Sequence, residues 1–258
     1  MTRRPLTSLH LFAVAGLPLV EPGDDLAELI GKAIVQQGDS LHDGDIVVIA
    51  QKIVSKSEGR YVALASLSVS PQARELAAKT GKRAEYVEAV LSESEEIVRV
   101  RGELIIAAHR LGYVMANAGI DESNIDHNAG GRVLLLPDDP DAAATSLRRK
   151  LCERTGADIG VIINDSFGRP FRNGVVGVAL GADGVPSLAS QIMIPDLFGR
   201  PLRVTEVAIA DQIASAASLL MGEAAEGQPV IVVRGFASDA PSRPAAALVR
   251  PKSRDMFR

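Results

Sequence analysis

Asp165 and Ser166 close an apolar run at residues 159–163, and Arg169 and Arg172 follow within seven residues, in Asn-Asp-Ser-Phe-Gly-Arg-Pro-Phe-Arg over 164–172. A core strand needs apolar side chains, and packing does not call for an acid, an alcohol and two arginines at its end. A carboxylate and a hydroxyl are hard oxygen donors suited to Mg2+ or Mn2+, and guanidiniums grip phosphate or carboxylate with two parallel hydrogen bonds. Two further acids, Asp121 and Glu223, lie in the polar segments 117–124 and 221–228, each beside the end of a predicted strand or helix. Lys52 and Lys56 follow the apolar run at 46–50 and supply point charges for phosphate. Singly, each acid is a solvated or capping carboxylate and each lysine a solvated loop residue. Together they read as an enzyme handling a nucleotide through divalent cations. An echo at 196–203, Asp-Leu-Phe-Gly-Arg-Pro-Leu-Arg, adds Arg200 and Arg203, which could equally form structural ion pairs.

The elements that must position these groups follow from periodicity. A first strand is expected at 9–15, then a helix capped by Asp24 or Asp25 with Leu26, Leu29, Ile30, Ala33 and Ile34 on one face. Residues 46–50 form a continuous apolar run and read as a buried strand that exits into a polar loop. Helices are expected at 71–79 and 84–97, a hairpin from 103–108 and 113–118, and a helix at 140–154 leading into the strand that ends at Asp165. The glycine-rich stretch 174–184 reads as a strand that allows close backbone approach, 205–221 as a helix, and 230–233 as a buried strand. The first 238 residues are expected to form one catalytic domain. A Pro-, Ala- and Arg-containing tail at 239–258 is expected to be partly disordered.

Composition narrows the partners. Net charge is −4 and the basic residues are interspersed with acids, so the electrostatic footprint of a nucleic-acid binder is missing. The single Cys152 excludes an intrachain disulfide, and His10, His42, His109 and His127 show no metal-binding spacing. Arg3 and Arg4 before the apolar stretch 11–20 imitate a signal peptide, but Gly16 and Pro18 break the run. No run is long enough to span a membrane, and a cytoplasmic enzyme is expected. There is neither a GxxxxGK[ST] phosphate loop nor a GxGxxG after a strand, and Ser55 has no GxSxG context.

Several separated segments, in order, resemble one family: Gly-Leu-Pro-Leu at 16–19, Gly44-Asp45, Ser-Lys-Ser-Glu-Gly-Arg at 55–60, Asn-Ala-Gly-Ile-Asp-Glu-Ser-Asn at 117–124, Asp-Ser-Phe-Gly-Arg at 165–169, Leu-Met-Gly-Glu at 220–223 and Val-Val-Arg-Gly at 232–235. The sequence is similar to the coenzyme F-420:L-glutamate ligases, also called F-420-0:gamma-glutamyl ligases. The resemblance implies GTP-dependent addition of L-glutamate to the lactyl carboxylate of the deazaflavin F-420 precursor, then to the gamma-carboxylate of that glutamate. It implies a mixed α/β (α+β) ligase fold with mixed sheets and flanking helices, in an intertwined homodimer. By family pattern Gly16, Leu17, Pro18, Leu19, Gln51, Lys52, Lys56, Asn124, Met221, Gly222, Glu223, Ala224, Ala225, Glu226, Gly227 and Gln228 would bind GTP. Asp121, Asp165, Ser166 and Glu223 would hold two Mg2+ or Mn2+ ions, with K+ a further candidate. Lys56 and Arg169 are the expected catalytic cations. Ser166 stands where the family usually has Thr, Asn164 where Thr or Ser is frequent, and Gln51-Lys52 where some relatives carry hydroxyl residues. Two other readings remain at this point: a different metal-dependent phosphotransferase or phosphohydrolase, and a non-catalytic nucleotide-binding dimer.

Overall fold

The computed structural model describes residues 7–126 and 131–256; Arg3, Arg4 and His127 lie outside the described residues. In chain order the elements are β1 (His10–Ala13), α1 (Leu26–Gln36), β2 (Ile46–Ala50), α2 (Gln51–Ser57), β3 (Tyr61–Ala63), α3 (Pro71–Thr80), α4 (Ala84–Ser92), β4 (Ser94–Arg101), β5 (Leu104–His109), β6 (Val114–Ala116), β7 (Arg132–Leu134), α5 (Pro140–Thr155), β8 (Gly160–Arg169), β9 (Arg172–Asp183), β10 (Leu188–Ser190), β11 (Glu206–Ala208), α6 (Ile209–Met221) and β12 (Val230–Arg234). The architecture is mixed α/β, as expected.

The central sheet runs β1-β12-β2-β8-β9, with β2 and β8 parallel and every other pairing antiparallel. Its middle strands are apolar on both faces because helices cover both. Val47, Ile49, Val161, Ile163, Val230 and Val232 pack toward α1 and α5, while Ile46, Val48, Ile162, Ile231 and Val233 pack toward α6. The caps explain where the helices start: Asp25 accepts from the Ala27 and Glu28 N–H groups, Asp139 from Ala142 N–H. Strand β9 carries a bulge. Ile163 pairs with Gly181 and Asn164 with Ala179, so Leu180 is the extra residue, and its carbonyl accepts from the Tyr113 hydroxyl at 2.5 Å.

A separate apolar cluster joins α3, α4 and the small sheets β4-β5-β6 and β3-β7 through Tyr86, Val87, Val90, Ile105 and Val133. Beside it Glu93, 8% exposed, accepts from Arg60 Nη2 at 3.2 Å, Arg110 Nε at 3.3 Å and His109 Nε2 at 3.3 Å. His109 Nδ1 accepts from the Leu111 N–H at 3.0 Å, which leaves the ring proton on Nε2, facing Glu93. His109 is fully buried and holds structure.

Four expectations about elements are corrected. The helix read over 84–97 stops at Ser92, because Glu93 turns into the Arg60–Arg110–His109 cluster and 94–101 is captured as an antiparallel partner of β5. The polar loop after residue 50 is the short helix α2, which has no side-chain cap and hence no start signal. The helix read over 205–221 begins as β11, drawn out by pairing with β10. The strand read as ending at Asp165 continues to Arg169, because β9 supplies a partner for the whole hairpin. The echo at 196–203 has no structural counterpart in that hairpin: Asp196 Oδ1 accepts from the Phe198 and Arg200 N–H groups in a separate exposed turn. In the tail, Ala245 is buried, and Asp141 accepts from the Ala245 and Ala246 N–H groups at 2.8 and 3.0 Å. Among the described residues no helix is long and apolar enough to cross a membrane.

Candidate active site

The parallel pair β2–β8 sets the site. Ala50 lies opposite Asn164 in the register, so the residues that follow, Gln51-Lys52 on one chain segment and Asp165-Ser166 on the other, leave the paired strands together. In open α/β sheets ligands bind in the crevice beyond the carboxyl ends of parallel strands. A cavity of about 390 Å3 opens here, lined by Leu17, Pro18 and Leu19, by Gln51, Lys52 and Lys56, by Asn124, by Asn164, Asp165 and Ser166, and by 221–228. Five sequence-distant segments that were named as candidates therefore meet at one place.

Asp121 reaches the group through Lys52, with which it is ion-paired. A tight turn delivers it: Asn117, Ala118 and Gly119 all have positive φ, at 49°, 51° and 70°, and the Asp121 backbone then exchanges both hydrogen bonds with Leu134. Left-handed backbone at Asn117 and buried Ala118 is strain held in place by the surrounding fold. Asn124, also left-handed at 54°, ties two walls of the cavity together. Its Nδ2 donates to the Ala224 carbonyl at 2.9 Å, and its own carbonyl accepts from Lys56 Nζ at 2.7 Å. Gly222 caps α6 with φ 73°, and a Cβ there would strike the Glu226 side chain, which folds back to accept from the Ala224 N–H.

The electrostatics show the acids in mutual range. Burial pushes the Asp165 carboxyl up, and with Asp121 and Glu223 adding to this against Lys52 and the Ser166 N–H, its pKa stands at about 6. Burial alone would lower Lys52, but Asp121, Asp165 and Glu223 together raise it. Burial would raise Asp121, and Lys52 together with hydrogen bonds from Ser123 outweighs it and holds the carboxyl below its ordinary value. Among the described residues no three His, Cys, Asp or Glu side chains form a ready-made metal cluster. The carboxylates are instead spread around the Lys52 ammonium. Three carboxylates and the Ser166 hydroxyl, all hard oxygen donors, fit Mg2+ or Mn2+ rather than a softer metal.

Other candidates are placed differently. Gly16 precedes the lining residues without joining them. The Gln51 amide lines the cavity but its Nε2 is turned inward, donating to Ser55 Oγ at 2.7 Å. Arg169 does not line the cavity. It stands at the last paired position of the β8–β9 hairpin, opposite Arg172, and its Nε is buried without a hydrogen-bond partner. Arg200 and Arg203 lie in the separate exposed turn, away from the cavity lining.

Two residues were missed as a pair. Asn164, noted only as a family departure, and Ser218 face each other in the cavity wall: Asn164 Nδ2 donates to Ser218 Oγ at 3.1 Å and approaches Met221 Sδ at 3.4 Å, while its Oδ1 has no partner. This contact joins Asp165's strand to the helix that launches Glu223. A serine one turn from Ala214 on an otherwise apolar helix face was the available signal.

The chain matches the model of F-420-0:gamma-glutamyl ligase over residues 16–235. It is 47% identical to the coenzyme F-420:L-glutamate ligase of Methanothermobacter thermautotrophicus over 97% of this chain and 99% of that one. It is 49% identical to the enzyme of that name from Methanopyrus kandleri over 93% of each chain, and 47% identical to that of Archaeoglobus fulgidus over 88% of each. With so much of its length in register with these enzymes, and with the family's separated motifs gathered around one cavity, the chain belongs to the F-420-0:gamma-glutamyl ligase family.

Proposed function

We propose that the protein is a cytoplasmic GTP-dependent ligase that joins L-glutamate by an amide bond to the carboxylate of the deazaflavin F-420 precursor, and then to the gamma-carboxylate of the glutamate just added. The relatives named above are L-glutamate ligases for coenzyme F-420. The observation that carries the reading furthest is the meeting of Lys52, Asp165, Ser166 and the 221–228 loop around a single cavity beyond the parallel strands.

A carboxylate does not acylate an amine unaided, because its oxygen is a poor leaving group. Transfer of the GTP gamma-phosphoryl group to that oxygen gives an acyl phosphate and GDP. The glutamate amine then attacks the acyl carbon, the C–O bond to phosphate breaks, phosphate leaves and the amine proton is released. Most of the work is positioning and charge stabilisation. Lys52 and Lys56 meet the phosphate oxygens, Asn124 holds Lys56 and the 221–228 loop in one arrangement, and residues 17–19 wall the nucleotide. Asp121, Asp165, Ser166 and Glu223 would hold the divalent ions, which when bound neutralise triphosphate charge. Arg169 lies four residues beyond Asp165, roughly 13 Å along an extended strand, and would meet a substrate that reaches toward the hairpin tip.

The assembly belongs to the same proposal. Phe171 at the tip of the β8–β9 hairpin and Leu197 and Phe198 at the 196–203 turn are 91%, 99% and 96% exposed, and we assign them to the contact with a second copy.

Incubation with GTP, Mg2+ or Mn2+, L-glutamate and the deazaflavin precursor should give products heavier by one or more glutamyl residues, read by mass spectrometry. Asp165→Ala should abolish them with the fold intact. Phosphate release that does not depend on glutamate would instead mark a phosphohydrolase, and GTP binding without products a recognition module.

A further inference from the structure

We propose that Arg132, which lies over Tyr61 on the strand that packs against the helix carrying Lys56, forms a carboxylate-binding subsite next to the cavity. The subsite would be for a carboxylate of L-glutamate or of the deazaflavin acid other than the one that reacts. The inference rests on the ligase reading above. Arg132 opens β7 opposite Ala63, and its guanidinium carbon lies 4.0 Å from the centre of the Tyr61 ring. Its Nε is buried without a hydrogen-bond partner, and among the described residues it makes no ion pair. Arg60, Arg110, Arg148 and Arg234 are each paired to a carboxylate.

A guanidinium cannot shed its proton, so a buried N–H on it either finds an acceptor or is a standing cost. Stacking on Tyr61 fixes the plane of the fork in advance, which is the arrangement that suits bidentate capture of a carboxylate. β7, which carries Arg132, packs against α2, which carries the cavity-lining Lys56, and Lys56 lies within electrostatic range of Lys52 and Arg132 as well as of the acids Glu21 and Asp121. The nucleotide phosphates are assigned to Lys52 and Lys56. Both remaining substrates of the proposed reaction are carboxylic acids, and Arg132 is a cation that has no ion pair among the described residues.

The test is steady-state kinetics with each of the three substrates varied in turn. Arg132→Gln should raise KM for L-glutamate or for the deazaflavin acid tenfold or more, and the substrate affected identifies the source of the carboxylate; KM for GTP should stay within twofold. Arg132→Lys keeps the charge but loses the stacked fork, and should recover only part of the loss. KM values for both acids within twofold of the parent would overturn the subsite. If Arg132→Gln fails to fold, Tyr61→Leu serves, with a severalfold rise in the same KM expected and no change in either acid overturning the proposal. Absence of glutamylated product from the parent protein would sink the ligase reading instead. The subsite would then be judged by calorimetric titration of parent and Arg132→Gln with each acid: tenfold weaker binding by the variant supports it, and equal affinity or no binding to either protein overturns it.

Discussion

Asp165 is the residue on which pH should act most visibly. Its carboxyl titrates at about 6 in the fold against an ordinary value of 3.8, because burial and the charges of Asp121 and Glu223 outweigh Lys52. Between those two values the folded protein binds more protons than the unfolded chain. This group's contribution to stability is therefore present at low pH and is lost as pH rises through about 6. In a chelator-containing buffer the thermal midpoint of Asp165→Asn should fall less than that of the parent between pH 5 and pH 7. An unchanged difference would contradict the coupling of the three acids. For the same reason divalent ions should bind more weakly below pH 6, where a proton competes for the carboxylate. Asn164 acts differently. Losing its amide should loosen the link from β8 to α6, so Asn164→Ala should lower kcat by roughly tenfold, about 1.4 kcal/mol, while barely moving the unfolding midpoint. The candidate acids and lysines were legible in the sequence because nothing in packing asks for them where they stand. Arg132 was not, since a lone arginine at the head of a three-residue strand looks like any solvated cation until its stacking on Tyr61 is seen.

At the level of elements, close approach is bought with glycine. A Cβ on Gly181 of β9 would lie 2.1 Å from the Pro140 carbonyl oxygen of α5, and one on Gly177 would lie 2.2 Å from Ser218 Oγ and 2.5 Å from the Ala214 carbonyl oxygen of α6. Gly181→Ala must push backbone, and should destabilise by about 1–3 kcal/mol or more in denaturant unfolding. Gly177→Ala should cost stability too, and also activity, because it displaces the Asn164–Ser218 contact in the cavity wall. The Glu93 cluster predicts the opposite pH behaviour to Asp165. Burial would raise Glu93, but His109, Arg110 and Arg60 hold it below its ordinary value, so its contribution is present above about pH 4.5 and is lost as pH falls through the lowered folded pKa. Glu93→Gln should cost about 1–3 kcal/mol at pH 7 and flatten acid unfolding. The long amphipathic and apolar elements, α1, β2, α5 and β12, were readable from periodicity and caps. Elements whose form depends on a distant partner were not: β4 needs β5, β11 needs β10, and the outer half of β8 needs β9.

For the whole molecule, one sheet flanked by α1 and α5 on one face and α6 on the other holds the cavity, and the α3–α4 cluster supplies Asp121 and Asn124 from outside that sheet. The site is thus a joint between two packed bodies, which is why no single motif in the chain announces it. Sedimentation should give a dimer, and Leu197→Asp with Phe198→Asp should shift it toward monomer without unfolding either copy. Leu180 is one residue more than a regular β9 would hold. Side chains along a regular strand alternate, so positions four apart would share a face, yet Gly177 meets α6 and Gly181 meets α5. The insertion acts as a half-turn coupling that exchanges inside and outside midway along the hairpin. Removing that one residue would flip the distal half of β9 relative to both helices, so the count of amino acids there is as constrained as their chemistry.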